Sequence, residues 1–402
     1  MTENTKKPAI RFKGYTEAWE QRKAKNLFMS TADKGHPELP VLSATQDRGM
    51  IKRDDNGINI FHNKKNEEGY KRVVSGQFVI HLRSFQGGFA HSAIEGIISP
   101  AYTIFSFQEP SNHDDNYWKY VFSSKEFIRR LETVTYGIRD GRSINYDEFL
   151  TMNFCYPKKE EQKQIAAFLD KTTQLITLHQ RKYDKLINVK KSCLEKMFPK
   201  SGSNVPEIRF KGFIGAWEQR RLGEVSDIVR GASPRPIKDP KWFDVDSDIG
   251  WLRISDVTEQ DGRIHFLEQR ISEAGQERTR VLTEPHLLLS IAATVGKPVI
   301  NYVKTGVHDG FLIFQNPNFD REFMFQWLEM FRLKWSKYGQ PGSQVNLNSD
   351  LVKSRDIMLP DREEQSQIGQ LFTRLDHLIT LHQRELEKLK NIKKSCLEKM
   401  FV

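Results

Sequence analysis

The sequence predicts a mixed α/β (α+β) fold: two globular modules and two long helices, the helices pairing as an antiparallel two-helix coiled coil under an internal pseudo-two-fold repeat. Three observations lead there. The 402-residue chain is written twice, each copy ends in a long stretch with helical apolar spacing, and the intervening stretches mix short strand-like runs with turns and one helix.

The repeat comes first, because overlooking it misreads everything else. PAIRFKGYTEAWEQR, from Pro8 to Arg22, returns as PEIRFKGFIGAWEQR, from Pro206 to Arg220, at an offset of 198 residues. LITLHQR from Leu175 returns from Leu378, and KKSCLEKMF from Lys190 returns unchanged from Lys393, both at an offset of 203. A period near 200 residues is too long for a solenoid or propeller unit, so one large module has been duplicated. The likeness sits at the ends of each copy and the difference in the middle. Unequal drift would give that pattern, and so would two copies that meet one kind of partner through their shared ends and something different through each middle. PKSGSNVPE, from Pro199 to Glu207, has the Pro, Gly and Ser content of a boundary. The organisation read from the chain is a first module over residues 1–157, a helix over 158–198, a linker over 199–207, a second module over 208–360 and a second helix over 361–402.

From Glu160 to Phe198 there is no Gly or Pro, and Ile165, Phe168, Leu175, Leu178 and Leu186 recur at the three- and four-residue steps of a helix face. Ile368, Leu371, Leu378 and Leu389 repeat the stripe in the second copy. At about 1.5 Å per residue such a helix is a rod of roughly 58 Å. Its apolar stripe must be buried, and the obvious mate is its twin. His179, Lys182, His382 and Glu385 interrupt a strict heptad near mid-helix and are read as packing or register features, without a metal.

Each middle holds strand-like runs, such as KRVVSGQFVIHL in the first and HLLLSIAATVGKPVINYV in the second, then a helix-like stretch and a polar loop. Those loops are YGIRDGRSIN, with Tyr136, Arg139 and Arg142, and YGQPGSQVN, with Tyr338, Ser343 and Gln344. Arg suits guanine and Gln suits adenine through two hydrogen bonds to the base edge, although a solvated surface loop has the same composition. Arg83, Ser84 and Gln86 before a Gly pair, and Arg230, Ser233 and Arg235 around Gly231, are further donors beside glycines that permit close backbone approach to a ligand.

Sixty-two Lys and Arg face 52 Asp and Glu, a net charge of +10, and most of the excess lies in the helical stretches. Bulk attraction to phosphate therefore cannot be the whole function of the middles, and any nucleic-acid contact must come from local clusters. The chain has no phosphate loop, no dinucleotide fingerprint and no evident Ser-His-Asp elbow. Asn316-Pro317-Asn318-Phe319 is read as a turn and His113-Asp114-Asp115 as a loop triplet. Cys155, Cys193 and Cys396 have no zinc spacing and are expected as reduced thiols. MTENTKKPAIRFKG lacks the apolar run of a signal peptide, and no stretch approaches a bilayer span, so a soluble, cytoplasmic protein is expected. The balance favours a reader over a catalyst: no catalytic residue and no metal site are assigned.

YPKKEEQKQIAAFLD, from Tyr156 to Asp170, and LPDREEQSQIGQLFTRLD, from Leu359 to Asp376, resemble the segments that follow each target-recognition domain in the specificity (S) subunits of type I restriction-modification systems. SPAYTIF from Ser99 and WLRISDV from Trp251 resemble segments inside those domains, so that the resemblance covers essentially the whole chain. It implies that each module reads one half of a bipartite, asymmetric double-stranded DNA target while the helices fix the gap and dock two modification (methyltransferase) subunits. Two restriction (translocase/nuclease) subunits would complete the assembly in defence against foreign DNA. S-adenosylmethionine, ATP and Mg would belong to those partners, leaving this chain without a cofactor. A cytosolic scaffold whose middles bind proteins is the alternative.

Overall fold

A computed structural model describes residues 7–45, 48–57, 64–81, 88–131, 135–136, 143–291, 294–335 and 347–402. The chain divides into two compact units, one of Met1–Gln180 together with Arg384–Val402 and the other of Arg181–Gln383. Both divisions fall inside a long helix. The first long helix is Lys159–Lys196 and the second Arg362–Lys399, 38 residues each. Each unit therefore holds one module, the first half of the helix that follows it, and the last half of the other helix. The sequence-based division kept each helix whole, whereas each compact unit takes part of both.

In unit 1 the strands Phe28–Thr31, Thr103–Phe107, Phe78–Ile80 and Phe89–His91 form an antiparallel sheet in that spatial order. Successive side chains of a strand point to opposite faces. Phe78, Ile80, Phe105 and Phe107 accordingly enter one core with Phe28, Trp118, Phe122 and Phe149, while Val79 and Ile104 enter another with Leu42, Met50, Val73 and Ile98. The first core is aromatic: Phe28 meets Phe105 and Trp118 edge-to-face with ring centroids 5.3 Å apart in both cases. Such pairs add about 0.5–1.5 kcal/mol each beyond burial. Asp114 caps the helix Asp115–Ser123 by accepting from Tyr117 N at 2.9 Å, and Asp115 meets the His91 ring at 2.6 Å.

Unit 2 carries a five-stranded sheet in the order Asp227–Arg230, Phe311–Gln315, Leu287–Ser290, Pro298–Asn301 and Arg263–Ile264, antiparallel except for its last pair. The same alternation sends Leu287, Leu289, Leu312 and Phe314 to one core and Leu288, Ile313 and Phe311 to another. Asp320 caps the helix Arg321–Trp335 through Phe323 N at 2.9 Å. Asn316-Pro317-Asn318-Phe319 is a turn in which Asn316 has φ +49° and donates to Asp227 at 2.8 Å.

The helix stripe is buried towards its ends. Ile165 and Leu169 lie in the unit 1 core, and Ile368, Phe372 and Leu375 in that of unit 2. The identical KKSCLEKMF tails cross over: Met197 and Phe198 end the first helix inside unit 2, while Cys396 and Met400 end the second inside unit 1. In each unit, then, the start of one helix and the end of the other share a core. Phe168 and Leu371 are partly buried, as are Leu186 and Leu389, but Leu175, Leu178, Leu378 and Leu381 near mid-helix are 37, 46, 40 and 45% exposed.

Candidate functional site

The repeated sequence builds the same clamp twice. Arg11 of the leading IRFKG segment grips Glu161 with Nε and Nη2 at 2.7 and 2.8 Å, and Arg209 grips Glu364 at 2.6 and 2.7 Å. Both carboxylates are buried, and the hydrogen bond to each raises its arginine further above an already high pKa. The next residue of each Glu-Glu-Gln run is a second clamp. Gln162 donates to Pro157 O at 2.8 Å and accepts from Asp114 N at 2.9 Å, while Gln365 donates to Pro360 O at 2.9 Å and accepts from Asp320 N at 2.8 Å. Since Asp114 and Asp320 cap the module helices, the glutamine ties the start of each long helix to the start of its module's own helix.

The tails close the arrangement. Ile208 N donates to Lys196 O and Ile10 N to Lys399 O, both at 2.9 Å, so each leading segment lies against the last turn of a long helix. Phe198 packs on Trp217 and Phe323, and Phe401 packs on Tyr117, which itself meets Trp19. A short antiparallel ribbon completes each copy, Glu20–Lys23 with Asn153–Tyr156 and Glu218–Arg221 with Asp356–Leu359. Each unit thus mounts its own module on the same set of Arg-Glu, Gln and ribbon contacts.

Of the sequence-predicted contact residues, Arg83, Ser84, Gln86, Arg139, Arg142, Tyr338, Ser343 and Gln344 lie outside the described residues. Tyr136 is described through its backbone, where Thr135–Tyr136 pairs with Ser143–Ile144. Arg230, Ser233 and Arg235 are brought together, on a residue that sequence reasoning missed. Arg230 Nε donates to Asp309 O at 2.6 Å, Ser233 Oγ to Asp309 Oδ1 at 2.8 Å and Arg235 Nη2 to Asp309 Oδ2 at 2.6 Å. Gly231 does provide close approach, but to its own chain: a Cβ there would lie 2.1 Å from His308 O. Partial burial would raise the Asp309 pKa, but the Ser233 hydroxyl and the charges of Arg235 and Arg230 outweigh it and hold the carboxyl below its usual range. Beside it, burial lowers the His308 pKa and favours the neutral ring. Among the described residues no group of three or more His, Cys, Asp or Glu side chains is placed to hold a metal ion.

Residues 215–391 match the type I restriction modification DNA specificity domain. The MjaVIII type I restriction enzyme specificity subunit of Methanocaldococcus jannaschii is 26% identical over 301 residues, 71% of this chain and 68% of that one. This chain is thus similar to specificity subunits of type I restriction-modification systems. A second relative from that organism, the putative MjaX specificity subunit, is 24% identical over 273 residues, 63% of this chain and 60% of the relative. The crystal structure of the type I restriction-modification S subunit from M. genitalium superposes with a TM-score of 0.61 at 14% identity, covering 98% of this chain and 99% of that one. At that identity the likeness concerns the fold, and it extends over both copies.

Within this duplicated frame the two copies differ at the buried position before the cap residue. His113, just before the first cap residue, is 6% exposed and stacks on Phe107 at 4.5 Å, with Tyr156 at 5.1 Å. Phe319 holds the matching place before Asp320. Burial, reinforced by the charge of Arg22, lowers the His113 pKa from 6.5 to about 4. The folded pKa lies below the unfolded one, so the unfolded chain binds the extra proton first. The stability that neutral His113 contributes is present above about pH 6.5 and is lost as pH falls towards about 4. Allowing for solvent screening, the loss is about 2 kcal/mol. His113→Phe should flatten this part of the pH profile in denaturant titrations between about pH 7 and about pH 4.5. A variant as acid-sensitive as the parent would assign the sensitivity to other groups.

Proposed function

We propose that the chain is the sequence-reading, non-catalytic subunit of a type I restriction-modification enzyme. Each module reads one half of a bipartite, asymmetric duplex target, the long helices set the gap, and two modification subunits dock on the repeated surface. Methyl transfer from S-adenosylmethionine, and ATP- and Mg-dependent translocation and cleavage by two restriction subunits, belong to those partners. The assembly works in the cytoplasm; no described helix is long and apolar enough to cross a membrane.

The observation that carries this reading is the duplicated frame under unlike modules. Identical partners need identical surfaces, whereas unequal half-sites need unequal readers, and the chain divides its sequence in that way. The frame also offers matched apolar contacts. Leu175 and Leu178 on the first helix, and Leu378 and Leu381 at the same places on the second, remain well exposed at mid-helix. Burying the part of two such leucines that is still exposed is worth about 1–2 kcal/mol, or roughly tenfold in affinity. The Leu175→Glu, Leu178→Glu variant should therefore bind modification subunits at least about tenfold more weakly at one of two positions, while its melting temperature stays near that of the parent. Light scattering of the mixed subunits reads the stoichiometry, and undiminished assembly would place the docking surface elsewhere.

The reading as a whole is tested by methylome sequencing of a host that carries this chain with a modification subunit. The expected result is methylated adenine in one bipartite motif with unlike halves. A protein scaffold would leave no such motif, and would show none of the salt-dependent DNA affinity expected of a phosphate-contacting surface.

A further inference from the structure

Asp309 sits in the turn between the strands Thr305–Val307 and Phe311–Gln315, surrounded by arginines. Arg230 and Arg235 bind it directly, and Arg280 Nε donates to Arg230 O at 2.7 Å, carrying a third guanidinium to the same edge. The Arg235 side chain is 71% exposed and that of Asp309 34%. One end of the guanidinium is therefore tethered while the rest faces solvent. Ser233 is held by the same carboxylate and takes a hydrogen bond back from Asp309 N at 3.2 Å. Gly231 lets the 230–235 loop lie directly on the turn, with Gly231 N donating to Phe311 O at 2.9 Å and Ala232 N to Val307 O at 3.0 Å.

A carboxylate is a poor direct ligand for a phosphate-rich surface, because like charges repel. Its value at such an edge is to hold donors. An untethered arginine samples many rotamers and meets whichever phosphate is near, whereas a base edge rewards a guanidinium held in one plane. We propose that Asp309 is a positioning residue of the second module, fixing Arg235 and Ser233 in the pose in which Arg235 reads a base of the second half-site. This rests on the DNA-reading function proposed above and adds the device that makes one exposed arginine selective.

The test uses the full chain assembled with its modification subunits, presented with a pool of random-sequence duplex DNA that is selected and sequenced. Asp309→Asn keeps an acceptor for Ser233 but removes the charge that holds Arg235. Discrimination at one base of the second half-site should fall about tenfold, with the first half-site, the gap and the melting temperature unchanged. The released arginine should also steepen the dependence of log affinity for unrelated DNA on log salt by about one phosphate contact. Arg235→Ala should relax the same base, the double variant should add nothing further, and Asp309→Glu should restore part of the preference.

Unchanged selection and salt slope in Asp309→Asn would overturn the proposal. So would equal losses at every base with a lowered melting temperature, the mark of a merely structural residue. Loss of a cytosine preference that Arg235→Ala leaves intact would also overturn it, by making Asp309 itself the reader. If the parent complex shows no sequence preference at all, the failure belongs to the DNA-reading function.

Discussion

Arg209→Ala should lower the unfolding free energy of the chain by about 3 kcal/mol, read as a shift in the denaturant midpoint. The reason is the asymmetry between losing a pair and losing one partner. Glu364 is fully buried and takes two charge-assisted hydrogen bonds from the guanidinium at 2.6 and 2.7 Å. With both partners present, the desolvation of each charge is offset by the other. With Arg209 gone, the carboxylate is left without its cation in a site that it cannot leave, because it belongs to the first turn of the second long helix and its neighbour Gln365 is held by Pro360 and Asp320. Replacing both partners by apolar residues of similar volume, Arg209→Met with Glu364→Leu, should recover most of the loss. Arg11→Ala should do the same in unit 1, where Glu161 is equally enclosed. A cost below about 1 kcal/mol for either single variant would mean that the clamp is solvated and contributes little.

The clamps also show where sequence legibility ends. That the IRFKG and Glu-Glu-Gln segments matter could be read from their recurrence. That they matter to each other could not, because Arg11 and Glu161 are 150 residues apart and Arg209 and Glu364 are 155 apart, with an unlike module between them. The long helices were legible for a local reason: three- and four-residue spacing is a property of the segment alone, and stretches read as helical over 158–198 and 361–402 contain helices at Lys159–Lys196 and Arg362–Lys399. Which element buries the stripe is not a local property. The KKSCLEKMF tails read as coiled-coil faces, yet Met197, Phe198, Cys396 and Met400 fill module cores, because each tail meets the aromatic side chains at the base of a module. Asp309 escaped notice for the same reason as the clamps. His308-Asp309-Gly310 reads as an ordinary turn, and its arginine partners lie 74 and 79 residues earlier. The strands Phe78–Ile80 and Leu287–Ser290, buried on both faces, give short apolar runs in place of clean alternation. The loops carrying Arg139, Arg142 and Gln344 lie outside the described residues, so the base-contact assignments there rest on sequence alone.

Deleting one helical turn from both long helices, Leu175–Leu178 from the first and Leu378–Leu381 from the second, should shorten the gap in the methylated motif by one or two base pairs and leave both half-sites unchanged. Four residues of helix rise about 6 Å, and one base pair of duplex rises about 3.4 Å, so the expected step is roughly 1.8 base pairs. Both helices must lose the turn, because each unit contains the start of one and the end of the other, and a single deletion would put the two segments out of register. Four residues also turn a helix by about 400°, or 40° beyond a full turn, a modest rotation beside the whole turn removed. The clamps at Glu161 and Glu364 and the tails at Phe198 and Phe401 lie away from the deleted turns, so each module keeps its anchors and its reading loops. The same leucines are the proposed docking contacts, so a control is required: substitution with Glu at full length should weaken assembly without altering the gap, whereas the deletion should move the gap in whatever complex still forms. A shortened chain that methylates the parental motif with its parental spacing would show that the gap is set by the DNA or by the modification subunits, and that the helices serve only to carry them.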